Sequence, residues 1–242
     1  MNPTIEAFFD EATFTVTYVV SDPATAKTAI IDPVLDFDPK SGRTTTASAD
    51  KVIAHVRDNG LDVDWILETH VHADHLSAAP YIKHEVGGQI GIGDQVPTVQ
   101  GIFKKVFNED DSFAIDGSDF DALFAAGDSI HLGNVSGEVL HTPGHTPGST
   151  CYAISTEQGE NTLLFSGDTL FPGGPGRSGS PELFLQEVQS ITGRLFPLPD
   201  KTAVMPGHGD DTTIGTAKHE YGIFASKQHA DDLHGNVAWL ED

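Results

Sequence analysis

The sequence predicts a layered α/β domain. Segments typical of strands occur in two batches separated by a polar middle region, and segments typical of helices are interspersed among them. That order favours helices packed on sheets over an all-β sandwich. The chain has 242 residues, of which 38% are hydrophobic, and this is enough for one large domain with a core. We place the domain at residues 3–225 and a C-terminal extension at residues 226–242.

The first batch of predicted elements covers residues 13–92. Its strands are runs of β-branched and aliphatic residues, and we predict them at residues 13–20, 28–31, 63–67 and 89–92. A helix is predicted to begin with Ser48 as its N-cap and to end at Asn59-Gly60, because apolar residues recur on one helical face between them. The polar residues 36–47 predict a loop, and residues 76–85 predict a second helix.

The second batch follows an irregular acidic region. Residues 105–129 predict a long surface loop of the kind that often serves as a lid. Beyond it, strands are predicted at residues 135–140, 149–154, 162–165 and 203–205. Ser180 precedes Pro181 and an apolar helical face, so we predict Ser180 as the N-cap of a helix.

The charge balance limits the partners of the protein. Thirty-six acidic residues stand against 13 basic ones, which gives a formal net charge of −23. Such a surface repels polyphosphates and anionic lipids, so we expect neither nucleic acid nor membrane as a partner. Cys151 is the single cysteine, which excludes an internal disulfide and favours a reducing compartment. The sequence also lacks a long apolar run and the features of a signal peptide, so we expect a cytoplasmic protein.

One short motif contains four residues of the types that bind metals. His70, His72, Asp74 and His75 lie within six positions, directly after an apolar strand. Alternation along an extended segment puts the side chains of His70 and His72 on the same side. Neutral imidazole binds zinc and iron readily. The motif therefore predicts a metal site at the end of this strand.

Three further ligand-type residues follow strands farther along the chain. His145 lies in a turn rich in proline and glycine at residues 142–148, Asp168 follows a strand and Gly167, and His208 lies in a Pro-Gly-His-Gly turn. Glycines beside these residues let the backbone approach closely. Each signal is weak alone, but together they predict a single site built from strand ends.

In this order the seven residues resemble the metallo-β-lactamase superfamily, and the resemblance covers about residues 15–216. It implies a four-layer αββα sandwich, the metallo-β-lactamase fold, in a single domain with the metal site at one edge of the sheets. It further implies two divalent metal ions, with zinc favoured over iron and manganese. The implied ligands are His70, His72 and His145 for the first ion, Asp74, His75 and His208 for the second, and Asp168 as the bridge.

The motifs of the chain resemble two subfamilies with different chemistry. Residues 206–215 look like those of short glyoxalase II-like hydrolases, whereas residues 31–36 and 68–76 look like those of persulfide dioxygenases. We favour a thioester hydrolase that uses a metal-bound hydroxide, with Asp74 and Asp168 as catalytic residues. The alternative is a persulfide dioxygenase with one Fe(II), held by two histidines and one carboxylate. Its implied ligands are His70, His145 and Asp168.

The substrate is expected to be a small thiol-derived molecule. Arg177 lies nine residues after Asp168 in a loop rich in glycine and proline, and it is a candidate for binding a substrate carboxylate. A guanidinium group binds carboxylates through two parallel hydrogen bonds. A homodimer and a metal-dependent binding module without turnover are left open by the sequence.

Overall fold

Two six-stranded β-sheets form the centre of the protein in a computed structural model, which describes residues 2–38, 40–72, 76–155 and 162–240. Strands in the N-terminal half are β1 (Thr4–Phe9), β2 (Val16–Ser21), β3 (Lys27–Ile31), β4 (Val34–Asp38), β5 (Arg43–Thr45), β6 (Asp62–Leu67), β7 (Leu76–Ser77), β8 (Gln89–Gly93) and β9 (Ala122–Phe124). The helices of this half are α1 (Ala47–Asp58), α2 (Ala79–Val86) and α3 (Val96–Val106).

The C-terminal half supplies the second sheet. Its strands are β10 (Ser129–Leu132), β11 (Val135–His141), β12 (Thr150–Ser155), β13 (Thr162–Gly167), β14 (Leu170–Phe171), β15 (Gly174–Pro175), β16 (Ala203–Pro206) and β17 (Thr212–Thr213). Its helices are α4 (Pro181–Ser190), which continues into a π-helical turn at Ile191–Leu195, and α5 (Ile214–Ala225). The strand orders are β1-β2-β3-β6-β8-β9 in the first sheet and β10-β11-β12-β13-β16-β17 in the second.

Three hydrophobic clusters define four layers. The cluster between the sheets joins Val20 and Leu67 of the first sheet to Ile130 and Phe165 of the second. On the outer face of the first sheet, a second cluster contains residues of α1 and α2, and on the outer face of the second sheet a third contains residues of α4 and α5. Burial of one apolar face per helix and of both faces per sheet produces this layering. The predicted αββα sandwich is therefore confirmed.

Several predicted elements differ from the structure. Residues 36–47 were expected to form a loop, but they contain most of a hairpin in which Asp36 of β4 lies opposite Thr45 of β5. The helix expected from residue 76 begins only at Ala79, because Leu76 and Ser77 pair with β4. Pairing with a neighbouring strand determines the conformation of these segments, and local composition does not reveal that pairing.

The predicted acidic loop and the predicted N-caps also have mixed outcomes. Residues 105–129 include the end of α3 and the strand β9, so the loop is shorter than expected. Ser180 caps α4 as predicted, since its hydroxyl accepts a hydrogen bond from the Leu183 amide at 3.3 Å. Ser48 lies inside α1, and its hydroxyl donates instead to Asp36 Oδ1 at 2.7 Å.

Residues 235–239 pack against α5 and the loop at residues 173–178. Trp239 is fully buried in the cluster beneath α5, with its ring 5.3 Å from that of Tyr221. Its amide donates to the Gly173 carbonyl at 2.7 Å, and Gly235 and Ser178 exchange backbone hydrogen bonds of 3.1 and 3.2 Å. Residues 235–239, called the C-terminal strap below, thus lie across the loop at residues 173–178. No helix in the described ranges is long and apolar enough to cross a membrane.

Candidate metal centre

Four strand ends bring four of the predicted ligands together. His70 follows β6 of the first sheet, whereas Asp168 and His208 follow β13 and β16 of the second. His145 lies in the turn between β11 and β12. The candidate site therefore lies at one edge of the sandwich, where both sheets end.

Asp168 is at the centre of this group. Its Oδ2 atom lies 3.5–4.0 Å from the Nε2 atoms of three imidazoles, those of His70, His145 and His208. Most of these spacings exceed ordinary N–H···O hydrogen bonds. Two ligand atoms that each lie about 2.1 Å from a cation are at most about 4.2 Å apart, so the spacings admit a cation. Asp168 Oδ1 is buried and has no hydrogen-bond partner among the described residues, which also fits a metal ligand.

Backbone carbonyls orient two of the imidazoles. His145 Nδ1 lies 2.9 Å from the Arg177 carbonyl, and His208 Nδ1 lies 2.9 Å from the Phe14 carbonyl. A carbonyl oxygen can only accept, so each Nδ1 carries a proton, and in the neutral ring each Nε2 keeps a lone pair. Those lone pairs are the ones available to a metal beside Asp168.

His70 is oriented by a relay of hydrogen bonds. Its Nδ1 donates to Thr69 Oγ1 at 2.9 Å, and the same hydroxyl donates to Asp32 Oδ2 at 2.8 Å. Asp32 also accepts from the Thr69 amide at 2.7 Å. Burial, with the charge of His72 beside it, lowers the pKa of His70 to about 3. Neutral His70 therefore presents the unprotonated Nε2 that metal binding requires.

His72 has a different surrounding from the one predicted. Its Nε2 lies 3.2 Å from Asp32 Oδ1 and 3.2 Å from Glu68 Oε2, and the side chain is 5% exposed. Burial opposes the charged form of His72, but the two carboxylates outweigh it and raise the pKa well above its ordinary value. A protonated imidazole has no lone pair for a metal. The structure thus brings His72 to Asp32 and Glu68 and not to Asp168.

Two ligand clusters result among the described residues. In each, one ligand atom per residue lies within 4.8 Å of the others; the first contains His70, His145 and Asp168, and the second contains Asp32, Glu68 and His72. His208 lies beside Asp168 but is not a member of the first cluster. Asp74 and His75 lie outside the described residues, so their predicted roles stay predictions.

Glu187 lies beneath the site and was not found from the sequence. It is fully buried on α4, and no described residue makes a hydrogen bond of ordinary geometry to either carboxyl oxygen. The turn before His145 packs directly on it, since a Cβ on Gly144 would lie 2.1 Å from Glu187 Cβ. Burial raises the pKa of Glu187 to about 9. A neutral acid here adds no second negative charge behind Asp168.

An open cleft adjoins Asp168 and His145. Its volume is about 430 Å³, and its walls are the loop at residues 171–177 and three residues of the C-terminal strap, 236–238. Arg177 is exposed in this cleft, and no carboxylate among the described residues lies within ion-pair distance of it. The strap was not found as a wall from the sequence, since residues 236–238 carry no motif.

Comparisons with known proteins found similar sequences and structures. The sequence model of the metallo-beta-lactamase superfamily matches residues 11–208. A protein of Burkholderia pseudomallei named probable metallo-hydrolase is 50% identical over 190 residues, which cover 72% of this chain and 65% of that protein. Hydroxyacylglutathione hydrolase GloC of Haemophilus influenzae is 32% identical over 184 residues, covering 74% and 84%. The crystal structure of ETHE1 from Myxococcus xanthus superposes with a TM-score of 0.71 at 27% identity, covering 93% and 86%.

The chain is shorter than some of these relatives. It spans 65% of the Burkholderia protein, and it spans 47% of a beta-lactamase hydrolase-like protein of Agrobacterium fabrum that is 43% identical to it.

Proposed function

Because the chain belongs to the metallo-β-lactamase superfamily, we propose that it is a mononuclear iron dioxygenase acting on a thiol persulfide. The reaction consumes one persulfide, one dioxygen and one water, and it yields one thiol and one sulfurous acid, which ionises to sulfite. The terminal sulfur is oxidised, dioxygen is reduced, and the sulfur–sulfur bond breaks. The carrier sulfur leaves as the thiol.

A single observation carries the choice over the hydrolase: the position of His72. His72 Nε2 lies between the carboxylates of Asp32 and Glu68. The compact ligand group that contains Asp168 therefore has two histidines and one carboxylate. That donor set, with open positions opposite it, is typical of non-haem Fe(II) oxygenases. A hydrolytic first metal would instead use His72 as a third imidazole.

The residues of the site have distinct tasks in this proposal. His70 and His145 hold the metal through Nε2, and the negative charge of Asp168 offsets the cation. When bound, Fe(II) supplies adjacent positions where dioxygen and sulfur can meet. The Thr69–Asp32 relay keeps His70 in the tautomer that binds metal. Arg177 holds the carboxylate of the thiol carrier in the cleft.

Thioester hydrolysis is the second candidate, and His208 favours it. Among the described residues, His208 Nε2 is the imidazole nitrogen nearest Asp168 Oδ2, at 3.5 Å. This proximity supports a dinuclear site, in which Asp168 and His208 would hold a second metal and the metals would activate water and stabilise the oxyanion. The likeness to GloC also supports this candidate.

Turnover assays test the proposal against the second candidate. The protein, reconstituted with Fe(II), is supplied with glutathione persulfide while oxygen consumption and sulfite are measured. In parallel, zinc-loaded protein is supplied with an acyl-glutathione thioester while free thiol is measured. We expect equal amounts of oxygen consumed and sulfite formed, with thioester cleavage at background. Rapid thioester cleavage without oxygen uptake would overturn the proposal.

His208→Ala separates the two mechanisms at one residue. In the dioxygenase His208 only supports the site, so we expect one iron per chain to remain and oxygen uptake to fall by about 10- to 100-fold. In a hydrolase the same change removes a ligand, so the metal content falls from about two to about one and hydrolysis is lost. His219→Ala on α5, whose imidazole is exposed, is the control.

Arg177→Gln is expected to weaken substrate binding with little effect on the chemical step. A hydrogen bond to a charged group is worth about 1.5–3 kcal/mol, so KM for a carboxylated persulfide should rise by about 10- to 100-fold while kcat changes by less than about twofold. The Arg177 carbonyl still accepts from His145 in this variant. Arg194→Gln, at an exposed arginine away from the cleft, is the control. An unchanged KM would exclude Arg177 from substrate binding.

A further inference from the structure

A second cavity adjoins the site on the side of His70 and His72. It has a volume of about 330 Å³ and lies between α2, β8, α3 and the segment before β9. None of the described residues lines both this cavity and the open cleft. The cleft borders His145 and Asp168 instead. The candidate site therefore has two separate spaces on its two sides.

The walls of this cavity are largely apolar. Five large apolar side chains contribute to the lining: Leu76, Ile90, Ile92, Phe103 and Phe120. Apolar cavities can take up small apolar guests such as xenon. The apolar lining of the cavity thus contrasts with the cleft, which contains the charged side chain of Arg177.

The cavity and the cleft differ in charge, so they favour different ligands. The charged residues that line the cavity are Glu68 and Asp119, both acidic, and His72, whose positive charge is held between Asp32 and Glu68. An anionic persulfide would be repelled there, whereas the guanidinium of Arg177 in the cleft would attract it. A small uncharged apolar molecule experiences neither effect and gains from leaving water.

We propose that this cavity is the dioxygen pocket of the enzyme, an inference that rests on the proposed dioxygenase function. A persulfide in the cleft covers the approach past Asp168 and His145, so the second substrate needs a route that stays open while the first is bound. The cavity contacts His70, a proposed ligand of the metal. Dioxygen held there lies beside the site without competing with the persulfide.

Two substitutions that reduce the cavity volume test the pocket. Phe103→Trp and Ile92→Phe each enlarge a lining side chain, and melting temperatures show which variant folds normally. In a folded variant we expect KM for dioxygen to rise by about tenfold, with KM for the persulfide and kcat at saturating oxygen unchanged. Phe107→Trp is the matched control, because Phe107 lies one turn along from Phe103, is 63% exposed and does not line the cavity.

Xenon supplies a readout that does not depend on turnover. Wild-type crystals under xenon pressure should bind the gas between Ile92 and Phe103, and the Phe103→Trp crystals should not. No xenon in the wild type, or a KM for dioxygen unmoved in both folded variants, would overturn the pocket while leaving the dioxygenase standing. If KM falls as the alkyl chain of a persulfide lengthens, and if this trend is lost in the variants, the cavity would be assigned to the substrate instead. Wild-type protein without persulfide-dependent oxygen uptake would refute the proposed function, and dioxygen as the occupant with it.

Discussion

Replacing Asp168 by asparagine is expected to abolish iron binding and turnover. Asp168 Oδ2 lies within 4.0 Å of three imidazole nitrogens, and Asp168 supplies the carboxylate of the compact cluster with His70 and His145. The amide keeps the shape but carries no charge to offset a divalent cation. We expect activity to fall by more than about 100-fold, beyond the range typical of residues that only support a ligand.

The measurement combines iron content per chain with persulfide-dependent oxygen uptake. Asp210→Asn makes the same chemical change at an exposed position two residues after His208, and it should leave both quantities near the wild-type values. A metal-replete Asp168→Asn protein with wild-type turnover would show that Asp168 is not a metal ligand.

Removing the carboxylate of Asp32 is expected to have the largest effect on stability. Asp32 is 2% exposed, accepts two hydrogen bonds from Thr69 and lies 3.2 Å from His72 Nε2. Asp32→Ala leaves the buried charge of His72 with Glu68 as its remaining carboxylate in the cluster. Breaking a buried ion pair costs about 3–5 kcal/mol, so the melting temperature should fall by about 6–20 °C.

Asp32→Asn distinguishes this electrostatic effect from a backbone effect. The φ angle of Asp32 is +51°, and asparagine tolerates this left-handed conformation as aspartate does. The asparagine variant keeps the backbone geometry but loses the charge, so it should be destabilised nearly as much as the alanine variant. Thermal unfolding followed by circular dichroism measures both. A loss below about 1 kcal/mol in both variants would mean that the Asp32–His72 pair does not stabilise the fold.

The sequence predicts the ligands that follow strands because each signal is local. An apolar strand and a histidine or aspartate stand within a few residues of one another at His70, Asp168 and His208, and a glycine lies beside the last two. Strands such as β2 and β6 are recognisable for the same reason, since they are short segments rich in β-branched, aliphatic and aromatic residues. Local pattern therefore suffices for the strand ends and for the side chains that follow them.

The conformation of His72 is set by contacts that the local pattern does not contain. Strand alternation places His70 and His72 on one side, yet the ring of His72 turns toward Asp32, which lies 40 positions earlier in the chain. Burial of two carboxylates makes a partner with a positive charge favourable at that point. The number of imidazoles available to a metal thus depends on a long-range pair.

Helices α3 and α5 were not predicted from the sequence, for a related reason. Helix α3 contains Pro97 and Gly101, and α5 contains two glycines, so their intrinsic helix propensities are weak. Pro97 is tolerated because it lies in the first turn. Helix α5 is stabilised by packing, since Phe224 and Ala217 belong to the cluster that also buries Trp239 of the C-terminal strap. Tertiary packing overrides propensity in both helices.

Metal stoichiometry tests the central claim most directly. The wild-type chain, stripped of metal and reconstituted without oxygen in excess Fe(II), is freed of unbound metal and analysed for iron per chain. The account predicts one iron per chain, held by His70, His145 and Asp168, together with oxygen uptake that depends on a persulfide. Two metal ions per chain, with thioester cleavage and no oxygen uptake, would contradict it.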